Sequence, residues 1–67
     1  MAKKLMNGVR HCREMKGVTQ EEVAKQVGVS RQTIVAIEKG NYIPSVALGM
    51  DLAKLLGCSV ESLFFWE

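Results

Sequence analysis

A chain of 67 residues has room for one domain around one small core, and a core of that size covers only a modest fraction of the surface. Its two cysteines carry no secretory signal or metal-ligand spacing with them, which argues against a disulfide scaffold and predicts a reduced, cytoplasmic setting. A net charge of +2 is too small to indicate a polyanionic partner by itself, and no apolar run approaches the length of a membrane span, so a soluble protein with no membrane partner is expected.

The first helix is expected from about Asn7 to Lys16, with Val9 and Cys12 turned inward and Gly17 as its stop. Val18 then anchors the entry to a second helix. Thr19 and Glu22 have the spacing of a capping box, in which hydroxyl and carboxylate satisfy backbone donors at a helix start. Val23, Ala24 and Val27 line one face of that helix, and Gly28 takes the left-handed conformation that ends it. Ser30 is a good N-cap for a third helix running to about Lys39, with Ile34 and Ile37 inward, Gly40 at the exit, and Arg31, Gln32, Val35 and Ala36 outward.

Residues 40 to 44 form a loop, because Pro44 keeps Ile43 out of helical geometry. Ser45 caps a fourth helix whose inward face is Leu48, Leu52, Ala53 and Leu56, with Gly57 after the last turn. Gly49 is out of place, since a glycine inside a helix costs about 1 kcal/mol relative to alanine; either another backbone comes close there or the position is weak. Ser59 caps a short fifth helix with Val60, Leu63 and Phe64 inward. No repeat, linker or low-complexity run divides the chain, so residues 1–67 read as one all-α, compact five-helix domain.

Two short helices joined by a three-residue glycine turn, the second opened by polar side chains, have the layout of a DNA-reading helix-turn-helix at about residues 19–39. Arg13, Gly17, Thr19-Gln20, Ala24, Gly28-Val29-Ser30, Ile34, Ile37-Glu38, Gly40, Pro44 and Gly57 together resemble the Cro/repressor (Xre-type) helix-turn-helix family over nearly the whole chain. Within it the chain is similar to short stand-alone regulators without a sensor domain. The resemblance implies a homodimeric transcriptional regulator, most simply a repressor, that binds double-stranded DNA and needs no cofactor, metal or small-molecule ligand. The charge distribution agrees: residues 1–39 hold eight Lys/Arg against four Asp/Glu, and residues 40–67 hold one against three.

The outward residues of the third helix suit the major groove, where each base pair shows its own donor and acceptor pattern. Arg31 can grip a guanine edge with two parallel hydrogen bonds or clamp a phosphate; Gln32 can pair twice with adenine; Val35 and Ala36 can pack on thymine methyl groups. Gln20 matches the family position that braces the DNA backbone and the following helix, and Lys39, Asn41 and Tyr42 match a second phosphate clamp at the exit loop. Ser30 and Thr33, at the opening of the third helix, complete the expected backbone contacts. Lys39 is also a favourable charge at a helix C-terminus, and the two roles are compatible. The family places Arg13 opposite Glu38 as an ion pair between the first and third helices, and their neighbours Cys12 and Ile37 point to partial burial rather than a surface pair.

Nothing in the chain reads as catalytic. His11 is the only histidine and has no ligand-spaced partner, so it is expected on the surface. Cys12 and Cys58 read as buried apolar thiols, and Met1, Met6, Met15 and Met50 as a start residue, gap-fillers and edge positions.

The C-terminus ends in four consecutive large apolar residues, Leu63-Phe64-Phe65-Trp66, before Glu67. A small core cannot cover them all, so at least one of Phe65 and Trp66 is expected outside, and residues 60–67 are expected to form a dimerisation segment. In the short regulators of this family the tail pairs as a strand with the N-terminal segment at a dimer contact. Lys3-Lys4-Leu5-Met6 is compatible with that strand, which would add Leu5 to the interface. The rival reading is a protein-interaction module, such as an antitoxin-like partner that docks through the apolar tail.

Overall fold

The computed structural model describes residues 3–67; Met1, read above as the start residue, lies outside them with Ala2. Local capping chemistry divides the helical part into five pieces: α1 (Val9–Lys16), α2 (Gln20–Val27), α3 (Arg31–Glu38), α4 (Val46–Leu56) and α5 (Val60–Leu63). Ser45 and Ser59 each cap a helix by accepting from a backbone N–H three residues on. The termini add what all-α leaves out: strands β1 (Leu5–Asn7) and β2 (Phe64–Trp66) form a two-stranded antiparallel sheet. Its register sets Leu5 against Trp66, Met6 against Phe65 and Asn7 against Phe64.

Val9, Val23, Ala24, Ile34, Ile37, Leu48, Leu52, Ala53, Leu56 and Leu63 form one core drawn from all five helices. Six of the larger side chains are fully buried, and burial of each contributes about 1.5–3 kcal/mol. Val27, expected in that face of α2, is half-buried and packs against the core edge with Cys12, Val18 and Val29.

The structure departs from the sequence reading at several places. Helix α1 begins at Val9 rather than Asn7, because Asn7 belongs to β1: its Oδ1 accepts from Val9 N–H at 3.2 Å and its Nδ2 donates to the Ile37 carbonyl at 2.9 Å. An asparagine that satisfies its side chain this way caps a helix from outside. Helix α5 has a single turn and buries only Leu63; Val60 is 40% exposed, and Phe64 is extended at the start of β2. Leu63 cannot then serve a dimer interface, since it is 0% exposed within the monomer's own core.

Gly49 is buried under the Phe64 ring, not under another backbone: a Cβ at Gly49 would stand 3.6 Å from Phe64 Cε2. Cys12 and Cys58 are half-buried rather than buried, and burial, followed by the neighbouring Cys12 thiol, raises the pKa of the Cys58 thiol above its ordinary value. His11 and Met15 are exposed, Met50 lies on the outer side of α4, and Met6 is half-buried in β1.

Candidate nucleic-acid interface

The α2–turn–α3 unit is held by hydrogen bonds that its own sequence encodes. The capping box is complete: Thr19 Oγ1 accepts from Glu22 N–H at 3.1 Å and Glu22 Oε1 accepts from Thr19 N–H at 2.9 Å. The bond from the Thr19 N–H, followed by the nearby Thr19 hydroxyl, favours the charged carboxylate and holds the Glu22 pKa below its ordinary value. At the turn Gly28 adopts φ +77°, a conformation that costs a residue with a Cβ, and Val29 N–H returns to the Ala24 carbonyl at 3.0 Å. Ser30 Oγ then accepts from Thr33 N–H at 3.2 Å and lies 3.0 Å from Thr33 Oγ1, so both hydroxyls are engaged in starting α3.

Helix α3 is anchored by Ile34 and Ile37, both 0% exposed. On its other side Arg31 and Gln32 are exposed, while Val35 and Ala36 are half-buried. These four share one stripe, because residues three and four apart are neighbours on a helix. The stripe therefore has a projecting polar end and a low apolar floor. Past the helix, Gly40 N–H bonds to the Ile37 carbonyl and Asn41 N–H to the Ala36 carbonyl, both at 2.9 Å, which turns the chain and leaves Lys39, Asn41 and Tyr42 exposed beside the stripe.

An ion-pair cluster joins this helix to α1 and α2. Arg13 Nε donates to Glu38 Oε2 at 2.6 Å and Nη2 to Oε1 at 3.3 Å, while Nη1 donates to the Val18 carbonyl at 2.9 Å. Gln20 Nε2 adds a bond to Glu38 Oε1 at 3.1 Å. The side chains of Arg13 and Glu38 are only 13% and 4% exposed. The bond to Glu38 raises the Arg13 pKa above its ordinary value against the opposing effect of desolvation. Three elements thus converge on one carboxylate.

A cleft of about 320 Å³ opens over this cluster, bounded by Arg10, Gln20, Val35 and Lys39 with Arg13 and Glu38 inside. Glu38 is paired with Arg13, and the other charged residues of the lining, Arg10 and Lys39, are both cations. Arg10 was not singled out from the sequence, although its place three residues before Arg13 puts it on the same side of α1; it also pairs with Glu14 at 3.3 Å, and both members are largely exposed. The expected dimer residues divide: Leu63 is interior, Leu5 and Phe64 are half-buried, and Phe65 and Trp66 are 42% and 65% exposed.

A helix-turn-helix family model matches residues 9–63. An HTH-type transcriptional regulator of Methanocaldococcus jannaschii is 46% identical over 63 residues, spanning 94% of this chain and 96% of that protein. The HTH-type transcriptional regulator YgzD of Bacillus subtilis is 40% identical over 63 residues, with the same two shares covered. Among solved structures, the restriction-modification controller protein C.AhdI of Aeromonas hydrophila superposes with a TM-score of 0.77 at 30% identity, covering 84% of this chain and 85% of that one. Sequence, family model and fold agree over the same segment, and the chain belongs to the Cro/C1-type (Xre) helix-turn-helix family of DNA-binding transcriptional regulators.

Proposed function

We propose that this protein is a cytoplasmic, homodimeric repressor that occupies a promoter by inserting α3 into the major groove of an inverted-repeat operator. One observation carries the reading. Ile34 and Ile37 pin one face of α3, the Arg13–Glu38–Gln20 cluster holds its C-terminal end, and the opposite stripe of Arg31, Gln32, Val35 and Ala36 is left for a partner. In the groove, Gln32 reads adenine, Arg31 reads guanine or clamps a phosphate, and the low Val35–Ala36 floor lets the bases approach and packs on thymine methyls.

Lys39, Asn41 and Tyr42 on one side and Gln20 on the other contact the phosphate backbone, with Ser30 and Thr33 at the helix opening. Arg10 joins them by leaving Glu14 for a phosphate at the cleft. These contacts supply affinity and position, and the stripe supplies sequence choice.

Selection of bound fragments from a random duplex library tests the reading. A two-fold dimer should enrich an inverted repeat with half-site centres about 34–36 Å apart, and binding should weaken steeply with salt. A pool with no enrichment, together with a chain that stays monomeric until another protein is supplied, would replace this reading with the interaction module.

A further inference from the structure

The last carbonyls of a helix have no partner within it and must find one outside. At the end of α3 the chain that follows supplies three donors: Lys39 N–H bonds to the Val35 carbonyl at 3.1 Å, Asn41 N–H to that of Ala36 and Gly40 N–H to that of Ile37, both at 2.9 Å. Every residue from Lys39 to Ile43 is exposed, so no side chain of this turn is anchored in the core. Among the described residues one side chain from another element bonds to these carbonyls. It is Asn7, whose Nδ2 donates to Ile37 at 2.9 Å and gives that carbonyl its second bond.

Asn7 is itself held from two sides. Its backbone is paired with Phe64 in the terminal sheet, and the next residue, Gly8, donates its N–H to the Leu63 carbonyl at 2.8 Å. Its Oδ1 accepts from Val9 N–H at 3.2 Å, at the start of α1. The two side-chain bonds fix the orientation of the amide, because the reversed group would set donor against donor at Val9 and acceptor against acceptor at Ile37. An aspartate can make only the first of them, and a serine hydroxyl keeps the first and falls short of the second. A gap of only about 20 Å³ lies between Asn7 and Phe64 on one side and Gly40, Tyr42 and Ile43 on the other, so the sheet rests directly against the exit turn.

We propose that Asn7 is a positioning residue for DNA binding: it ties the exit turn of α3 to the terminal sheet and so holds Lys39, Asn41 and Tyr42 where they meet phosphate. A loop that is ordered before binding loses less entropy on binding. Phosphate contacts carry affinity without base choice, so the effect of Asn7 falls on all duplexes alike. The proposal rests on the backbone contacts assigned above to the exit turn and adds the residue that places them.

Asn7→Ser keeps the Val9 bond, removes the Ile37 bond and adds no charge; Asn7→Thr does the same with a side chain suited to a strand. Both should keep the helical circular dichroism of the wild type, and in both the Gly40 amide should exchange several-fold faster by NMR. Titrations should show a loss of about 5-fold or more on specific and random duplexes alike, with the salt slope lower by up to about one unit, the share of one phosphate contact. The loss should persist in full in a Gln32→Ala background and shrink below about 2-fold where Lys39→Ala and Asn41→Ala are both present, since Asn7 acts through that turn. Equal losses in the two backgrounds, or no loss from either variant, overturn the positioning role and leave the backbone contacts standing. A protein carrying Lys39→Ala and Asn41→Ala that binds as tightly as the wild type overturns the contacts and the proposal together.

Discussion

Arg13 and Glu38 are 25 residues apart and meet through two hydrogen bonds, the shorter 2.6 Å, in a contact that ties the middle of α1 to the last residue of α3. The Glu38 carboxylate is nearly sealed from water and accepts a third bond from Gln20. Burial of a charge is unfavourable unless it is paired and hydrogen-bonded, and here both conditions are met. The third Arg13 nitrogen, Nη1, donates to the Val18 carbonyl, so the same guanidinium also holds the α1–α2 turn.

Arg13→Ala strands the Glu38 charge and frees the Val18 carbonyl. It should cost about 2–3 kcal/mol, less than a fully buried pair because Arg13 keeps some access to water, and lower Tm by about 10 °C or more. Thermal melts of Arg13→Ala, Glu38→Ala and the double variant give the coupling. A coupling near zero would show that the pair does not position α3.

Gln32→Ala and Lys39→Ala should leave opposite signatures on DNA. Losing Gln32 should weaken the preferred operator by about 1–3 kcal/mol and relax choice at one base pair per half-site, while losing Lys39 should weaken all duplexes alike and lower the salt slope by about one unit. Titrations of specific and random duplexes at several salt concentrations separate the two. Equal losses on both duplexes for Gln32→Ala would remove it from the groove.

At Gly49 the space above the helix decides the sign of substitution. An added Cβ meets Phe64 Cε2 at 3.6 Å, an ordinary contact, so Gly49→Ala should stabilise the fold by up to about 1 kcal/mol through helix propensity. Gly49→Leu must displace the Phe64 ring and with it β2, and should destabilise by about 1–3 kcal/mol. Urea unfolding of the two variants checks both signs.

The capping box should produce a pH dependence in one window. Glu22 has a folded pKa below its ordinary 4.5, so the unfolded chain binds the proton more readily. Its stabilisation is therefore present above about pH 4.5 and lost as pH falls through the folded value. Glu22→Gln keeps the shape and removes the titration, so its stability should fall less steeply than that of the wild type below pH 4.5 and run parallel to it near neutrality. Identical slopes in the acid range would mean that the carboxylate does not act through its charge.

The elements legible in the sequence are those whose bonds close within a few residues. Thr19 with Glu22, Ser30 with Thr33 and Ser45 with Leu48 each span three positions, and the left-handed glycines at 17, 28 and 57 end helices by returning to carbonyls of the preceding turn. The inward faces of α3 and α4 were legible for a related reason, since helical periodicity alone places Ile34, Ile37, Leu48, Leu52 and Leu56 on one side.

Tertiary structure alone decided the rest. Asn7 reads as a helical residue until Phe64 and the Ile37 carbonyl come to it from far along the chain. Gly49 looks like a weak helix position until the Phe64 ring covers it, and Phe65 and Trp66 are indistinguishable in a tail of four apolar residues until pairing with β1 puts them on opposite faces of the sheet. Arg10 and Lys39 become members of one cleft only when α1 and α3 are packed. A cap or a helix face is set by bonds and periodicity within one segment of sequence. Strand register, ring placement and cleft membership are set by which distant segments exclude water together, and that choice is made only when the whole core closes.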